Sequence, residues 1–524
     1  MSHAAYLYPF IIVGIVILLV LLSIINIYIL VHWQHPDDKN ESYVAKIVIL
    51  LGLLLSEFAV LLIPIDVANN NGDISCQINS NTCGGIDMKI FWEAVLFTVA
   101  LYLVFIIPFA TFYYESDDGT LTGEEYRSRF CSAVKNQVIV AIIIIPIFVG
   151  CYFSSNETRI PVKLESGDLN TMEVHKIYRS NSTYIDLSFH KSLGDTSDSS
   201  LIYNVNFPIY AISLTAWVGW WFLALFGGFG LAAVPFDLIA AYIWRPRVLP
   251  PDELVSRQME LQTRTTELAE ICGLMKRERF EFQRSATSAY EKRTRWAKDR
   301  VQLNKLVQMV FLLEKDLNAF RACKVAAEGY NPLIPIFKLI LGVICALVSI
   351  IWELQLILYV LVYPPATPFL NAYFAWFDGW FPMLGTLMYA LFSLYMLICT
   401  IKGCFKIGLR IFCVRVHPME IGATYVSSFL FNLGLILLCT IPVVQLCSVA
   451  FAGYIHFSDL TLIFGLQINY LRFYTLFSVN HVFIWMLVLL SPVSVVYLFF
   501  VPLEISPSAM EFKELLEQVR DGRV

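Results

Sequence analysis

Residues 207–244 form a run of 38 residues that contains one charged side chain, Asp237. As one helix, at about 1.5 Å per residue, it would reach roughly 57 Å. The hydrocarbon layer of a bilayer is only about 30 Å thick. The run can therefore cross a membrane once, and its last third is expected to leave the core. Pro235 is the expected bend, with Arg245 and Arg247 as anchors beyond it. Eight other apolar runs accompany this one, at residues 7–31, 43–65, 90–112, 137–153, 333–362, 380–401, 421–451 and 482–500. Hydrophobic residues make up 57% of the chain and charged residues 15%, against about 25% charged in soluble domains. The expected class is an all-α polytopic membrane protein with about nine transmembrane helices, its partner the lipid bilayer. No Lys or Arg precedes the first run, whose core is too long for a cleavable signal; it reads as a retained anchor.

Short-loop charges set the expected orientation. The connection between spans seven and eight carries Lys402, Lys406, Arg410 and Arg415, whereas the loop between spans six and seven has neither Lys nor Arg. Odd-to-even connections are thus expected in the cytoplasm, with the N-terminus extracellular or luminal and the C-terminus cytoplasmic. The polar loop 154–205 then lies outside, as a small β-rich or irregular cap. It carries the sequons at Asn156 and Asn181, glycosylation candidates only on that side. Cys76 and Cys83 share another outer loop and form a disulfide candidate. The organisation read from sequence is spans one to five over 1–244, an insert over 245–331, spans six to nine over 332–502 and a tail over 503–524.

Residues 250–330 are charged and almost free of glycine. Leu303, Leu306, Val310, Leu313, Leu317 and Phe320 alternate three and four apart, the spacing of a coiled-coil seam. Leu254, Leu261, Leu268 and Met275 recur every seven. Two long helices folded as an antiparallel cytoplasmic hairpin are expected. Its seam either closes within the hairpin or docks a protein partner.

Carboxylates inside spans are costly and are functional suspects. Glu57 lies mid-span and Glu353 in the outer half of span six; Asp66, Glu93 and Asp237 lie nearer the expected interfaces. Proton coupling or contact with a polar solute competes with a buried hydrogen bond between helices. No Walker loop, GxSxG, HExxH or dinucleotide fingerprint occurs, so neither an enzyme nor a bound cofactor or metal is expected. No basic cluster interleaved with aromatics suggests nucleic acid. GGFGLAA lies within a span, where glycines serve close helix packing.

HPDD after span one, PFATFYYE closing span three, GGFGLAAVPFDLIAAYIWRPR closing span five and MEIGATYVSSFLFNLGLIL in span eight together resemble the limb-region-1-like (LMBR-like) membrane proteins. This family includes the lipocalin-interacting membrane receptor and a lysosomal cobalamin-transport protein. The wording of HPDD and of span eight is closest to the plant and protist branch. The resemblance covers nearly the whole chain and implies nine spans, an external N-terminus and a large cytoplasmic insert after span five. It implies roles in ligand uptake, vitamin export with a transporter partner, or signalling, at the lysosome or vacuole or at the plasma membrane. The favoured expectation is a receptor or scaffold with an external ligand; a transporter or transporter subunit for a small solute or lipid is the alternative.

Overall fold

The computed structural model describes residues 4–35, 38–39, 42–70, 88–116, 123–165, 175–179, 182–186, 196–245, 250–285, 305–306, 308–314, 316–321, 323–324, 333–381, 383–411, 414–417, 419, 422, 424–455 and 458–500. Among them, nine helices are long and apolar enough to cross a membrane. Spans one to four are Ala4–Trp33, Tyr43–Asn70, Met88–Glu115 and Gly123–Ser155. Span five is Phe207–Ile243, span six Leu333–Leu361 and span seven Leu384–Ile407. Spans eight and nine are Val426–Ala450 and Val482–Phe500.

The chain divides into two compact units whose boundaries fall inside spans five, six and nine, not at residues 244 and 332. The first comprises Met1–Val234 and Ala346–Val495. Span eight is its axis: Leu430, Leu433, Ile436, Leu437, Val443 and Val444 are buried on successive turns. Span four buries none of its apolar stretch. The apolar surface that its neighbours leave open faces hydrocarbon.

Two helices occupy segments read from sequence as loop. Phe369–Trp380 precedes span seven, which starts at Leu384 after a left-handed Met383. Asp459–Ile468 follows span eight and is a short apolar helix. Both are too short to span, and so escape a search for apolar runs of about twenty residues.

The loop after span four forms two antiparallel ribbons. β1 (Glu157–Glu165) pairs with β4 (Thr196–Asn204), and β2 (His175–Arg179) with β3 (Ser182–Asp186). The first ribbon is fastened to the bundle. Arg159 N donates to Tyr470 O at 3.1 Å, Arg472 N to Glu157 O at 3.2 Å and Thr158 Oγ1 to Gln467 O at 3.0 Å. Val205 N closes its base on Asn156 O at 3.1 Å.

The second unit comprises Pro235–Cys345 and Val496–Val524. Its long helix Pro251–Ser285 has Asp252 and Glu253 in the first turn, where acids complement the helix dipole. Arg264 Nη1 meets Asp316 Oδ2 at 3.0 Å, and Leu268 packs on Met309. The first contact is early in one segment and late in the other, so the two run antiparallel. The seam differs from the expected one at Val310, which is 42% exposed, whereas Met309 is 0% exposed. Arg264 is buried between Glu260 and Asp316. Leu306 and Leu313 pack against this cluster and Phe320 is buried; Leu317 is half-buried. Leu303, the Met275 side chain, Arg247, Asn181, Cys76, Cys83 and the tail lie outside the described residues.

Candidate functional site

Three of the segments that carry the family resemblance meet on one carboxylate. Asp38, in the turn between spans one and two, is buried. Its Oδ1 accepts from Tyr114 Oη at 2.9 Å, at the end of span three, and its Oδ2 from Val426 N at 3.0 Å, at the start of span eight. Lys46 Nζ donates to the Asp38 carbonyl. An acid at the first turn of span eight answers one of the donors a helix N-terminus leaves open. Nearby, His35 N donates to Thr424 O at 2.9 Å and Thr424 N to Trp33 O at 3.1 Å. Asp38 and its partners therefore form a structural knot.

The glycines of span five accept other backbones. A Cβ on Gly230 would lie 1.8 Å from Cys399 O, and one on Gly403 2.0 Å from Phe226 O. Spans five and seven thus touch backbone to backbone, the use of small residues that membrane packing favours. Gly228 stands in the same way against Leu487 O of span nine, at 2.8 Å. Pro235 does not end the helix, which is continuous to Ile243. Proline at this position leaves the Leu231 carbonyl without its amide. Ser349 Oγ of span six donates to that carbonyl at 2.8 Å, so the freed acceptor is satisfied. Arg245 is exposed, with its guanidinium over the Tyr242 ring at 4.9 Å.

The intramembrane carboxylates do not converge. Glu57 takes both oxygens to Asn26 Nδ2, each at 3.0 Å, between spans two and one. Glu353 meets Ser491 Oγ of span nine. Glu93 and Asp237 are half-buried. Asp66 is 0% exposed. Its Oδ2 accepts from Trp92 Nε1 at 2.9 Å and Leu460 N at 3.1 Å, while Asp459 N stands 3.4 Å from Oδ1. Asp66 thus holds the N-terminus of the short helix Asp459–Ile468 from a different span.

A cavity of about 230 Å³ opens between spans five, eight and nine and the segment 469–481. Gln445 is its polar centre, 2% exposed. Its Oε1 accepts from Trp220 Nε1 at 2.8 Å and Tyr474 Oη at 2.7 Å, and its Nε2 donates to Asn469 Oδ1 at 2.9 Å. Burial raises the Tyr474 phenol above its ordinary pKa and lowers that of the His481 imidazole. At neutral pH the phenol keeps its proton and the ring is uncharged. Val449, Phe477, Phe483 and Ile484 supply apolar wall. Phe483 is stacked between Trp220 (centroids 5.6 Å apart) and Phe477 (5.2 Å). Gly219 seats span five here: its Cβ would lie 2.0 Å from Leu438 O, the carbonyl that Pro442 leaves without an amide.

Neither Gln445 nor Asp38 stood out among the sequence candidates. A side-chain amide within the apolar run 426–450 is a signal of the same kind as a lone acid, and would have flagged Gln445 together with Asn432. Asp38 had no such signal, since an aspartate in a polar turn is ordinary. Among the described residues, no group of His, Cys, Asp and Glu could hold a metal ion.

Comparison with known proteins agrees with the motifs assembled here. The family model described as LMBR1-like membrane protein matches residues 11–321 and 322–499. A LIMR family protein of Arabidopsis thaliana is 32% identical over 493 residues, covering 89% of this chain and 92% of its own length. One of Dictyostelium discoideum is 29% identical over 518 residues, covering 94% and 97%. One of Oryza sativa is 31% identical over 468 residues, covering 86% and 88%. No solved structure matches the chain. The chain is an integral membrane protein and belongs to the LMBR1-like family.

Proposed function

We propose that this protein is a receptor or scaffold, and not an enzyme. The ribbon after span four faces the extracellular or luminal side, where it meets an external ligand. The insert after span five lies in the cytoplasm and docks a trafficking or signalling protein. The membrane concerned is the plasma membrane or a lysosome- or vacuole-like endomembrane. One observation carries the reading: among the described residues, the insert leaves apolar side chains exposed beside those that its packing buries. Leu268, Met309, Leu312 and Phe320 are buried, while Val255, Met259, Leu274, Val310 and Phe311 are exposed. The partner that fits such a face is an amphipathic helix of another protein.

The competing reading, a transporter working through intramembrane carboxylates, has weaker support. Glu57 and Asp66 are engaged with Asn26, Trp92 and a helix N-terminus, and no two of the carboxylates form a pair.

The test is a photocrosslinker placed in cells at Phe311, and separately at the opposite, polar position Glu267. The expected result is a discrete protein adduct from Phe311 that Val310→Glu abolishes, with none from Glu267. No adduct from Phe311, or equal adducts from both positions, overturns the reading.

A further inference from the structure

We propose that the cavity around Gln445 is a binding site for a small, uncharged, hydroxyl-bearing amphiphile. The inference stands apart from the scaffold reading, which concerns the insert.

The lining excludes charge. Trp220, Gln445, Asn469, Tyr474, Ser478 and His481 supply every side chain with a polar atom except Tyr470, and no Lys, Arg, Asp or Glu is among them. A carboxylate or ammonium taken in from water would find no counter-charge and would lose its hydration. The His481 imidazole cannot supply one, since burial favours its neutral form.

The polar groups are gathered at one side and are incompletely used. Gln445 Nε2 carries two hydrogens, of which one goes to Asn469 Oδ1. Tyr474 gives its proton to Gln445 Oε1, and its oxygen, also engaged by Trp220, keeps one lone pair. The site therefore offers one donor and one acceptor side by side, the complement of an alcohol. Val449, Phe477, Phe483 and Ile484 form the rest of the wall, suited to a ring or short hydrocarbon. At about 230 Å³, the cavity is smaller than the roughly 300–1,000 Å³ of drug-sized sites, so its occupant has roughly a dozen non-hydrogen atoms inside it. The buried centre is also pre-formed: Gln445, Trp220, Tyr474 and Phe483 are each no more than 3% exposed.

The same chemistry could arrive as a free solute or as the hydroxyl end of a membrane lipid. The full chain in nanodiscs separates the two. 4-Bromophenethyl alcohol is the aqueous probe, with quenching of tryptophan emission as the readout. 4-Bromophenylacetate and 4-bromophenethylamine are its charged counterparts. Nanodiscs containing dibromocholesterol form the lipid arm.

Saturable quenching by the alcohol is expected, lost in Trp220→Phe, with both charged probes about tenfold weaker or more. Val449→Phe fills the cavity while keeping the Gln445 side chain and should abolish saturation; Gln445→Leu should weaken binding about tenfold. Quenching by dibromocholesterol that depends on Trp220 and Val449 assigns the site to a lipid; its absence beside saturable quenching by the alcohol assigns it to a solute. Non-saturating quenching in both arms, saturation that survives Val449→Phe, or equal binding of the charged probes overturns the proposal.

Discussion

Replacing Asp66 should separate the roles of shape and charge at a carboxylate that joins distant helices. Two donors, Trp92 Nε1 at 2.9 Å and Leu460 N at 3.1 Å, share a single oxygen, Oδ2. The other oxygen faces Asp459 N at 3.4 Å. Asparagine can place its carbonyl oxygen where Oδ2 stands and keep both close donors. It loses the assistance of charge and the long contact, about 1 kcal/mol. Alanine leaves two buried donors without an acceptor. At about 1–3 kcal/mol for each, the cost is about 2–6 kcal/mol. Equilibrium unfolding of the purified chain in mixed micelles measures both variants. Hydrogen exchange at residues 459–468 supplies a local reading, and should rise in Asp66→Ala before global unfolding does. An Asp66→Ala variant within about 0.5 kcal/mol of wild type, or Asp66→Asn as damaging as Asp66→Ala, would refute the argument.

Two further outcomes follow from contacts described above. Gly230→Ala drives a methyl to 1.8 Å from a backbone oxygen, whereas at Gly434 the nearest atom to the added Cβ is Ile107 Cδ1 at 3.9 Å. Gly230→Ala should cost about 3 kcal/mol or more, and Gly434→Ala should be neutral or gain up to about 1 kcal/mol, both read by the same unfolding assay. At the knot, Tyr114→Phe should cost about 1 kcal/mol alone and almost nothing in an Asp38→Ala background. A double-mutant cycle checks this, and additive costs would remove Asp38 as the acceptor.

The spans were legible because membrane crossing imposes a length and an apolar composition that few other structures need. All nine runs found by that criterion are helices, with ends shifted by a few residues except at span four, whose helix begins at Gly123 and not at 137. What escaped it was short or made by pairing. Phe369–Trp380 and Asp459–Ile468 are half a span or less and fell into loops. Pro235 was read as a bend because proline breaks a hydrogen bond; that the acceptor it frees is met by Ser349, more than a hundred residues away in sequence, could not be read. Glu57 and Asp66 could be seen as anomalous; that Asn26 and Leu460 would answer them could not, because those partners come from other helices. Val310 was placed on the seam by spacing alone, and the neighbouring Met309 is the buried position. The cavity left the faintest trace, since its walls come from three spans and a connection.

The reach of the two aspartate contacts bears on how the chain is made. Asp38 waits 388 residues for Val426 N, and Asp66 waits 394 for Leu460 N. A ribosome adds roughly 5–20 residues per second, so each acid stands without its final partner for on the order of 20–80 s while six further spans enter the bilayer. Span two carries one acid and adjoins the other, and thus cannot reach its final state until span eight and the helix after it arrive. Early spans must meanwhile be shielded by water, by the insertion machinery or by one another. The last third of the chain is therefore a condition for completing the first, and the membrane half before the insert is not a unit that matures alone.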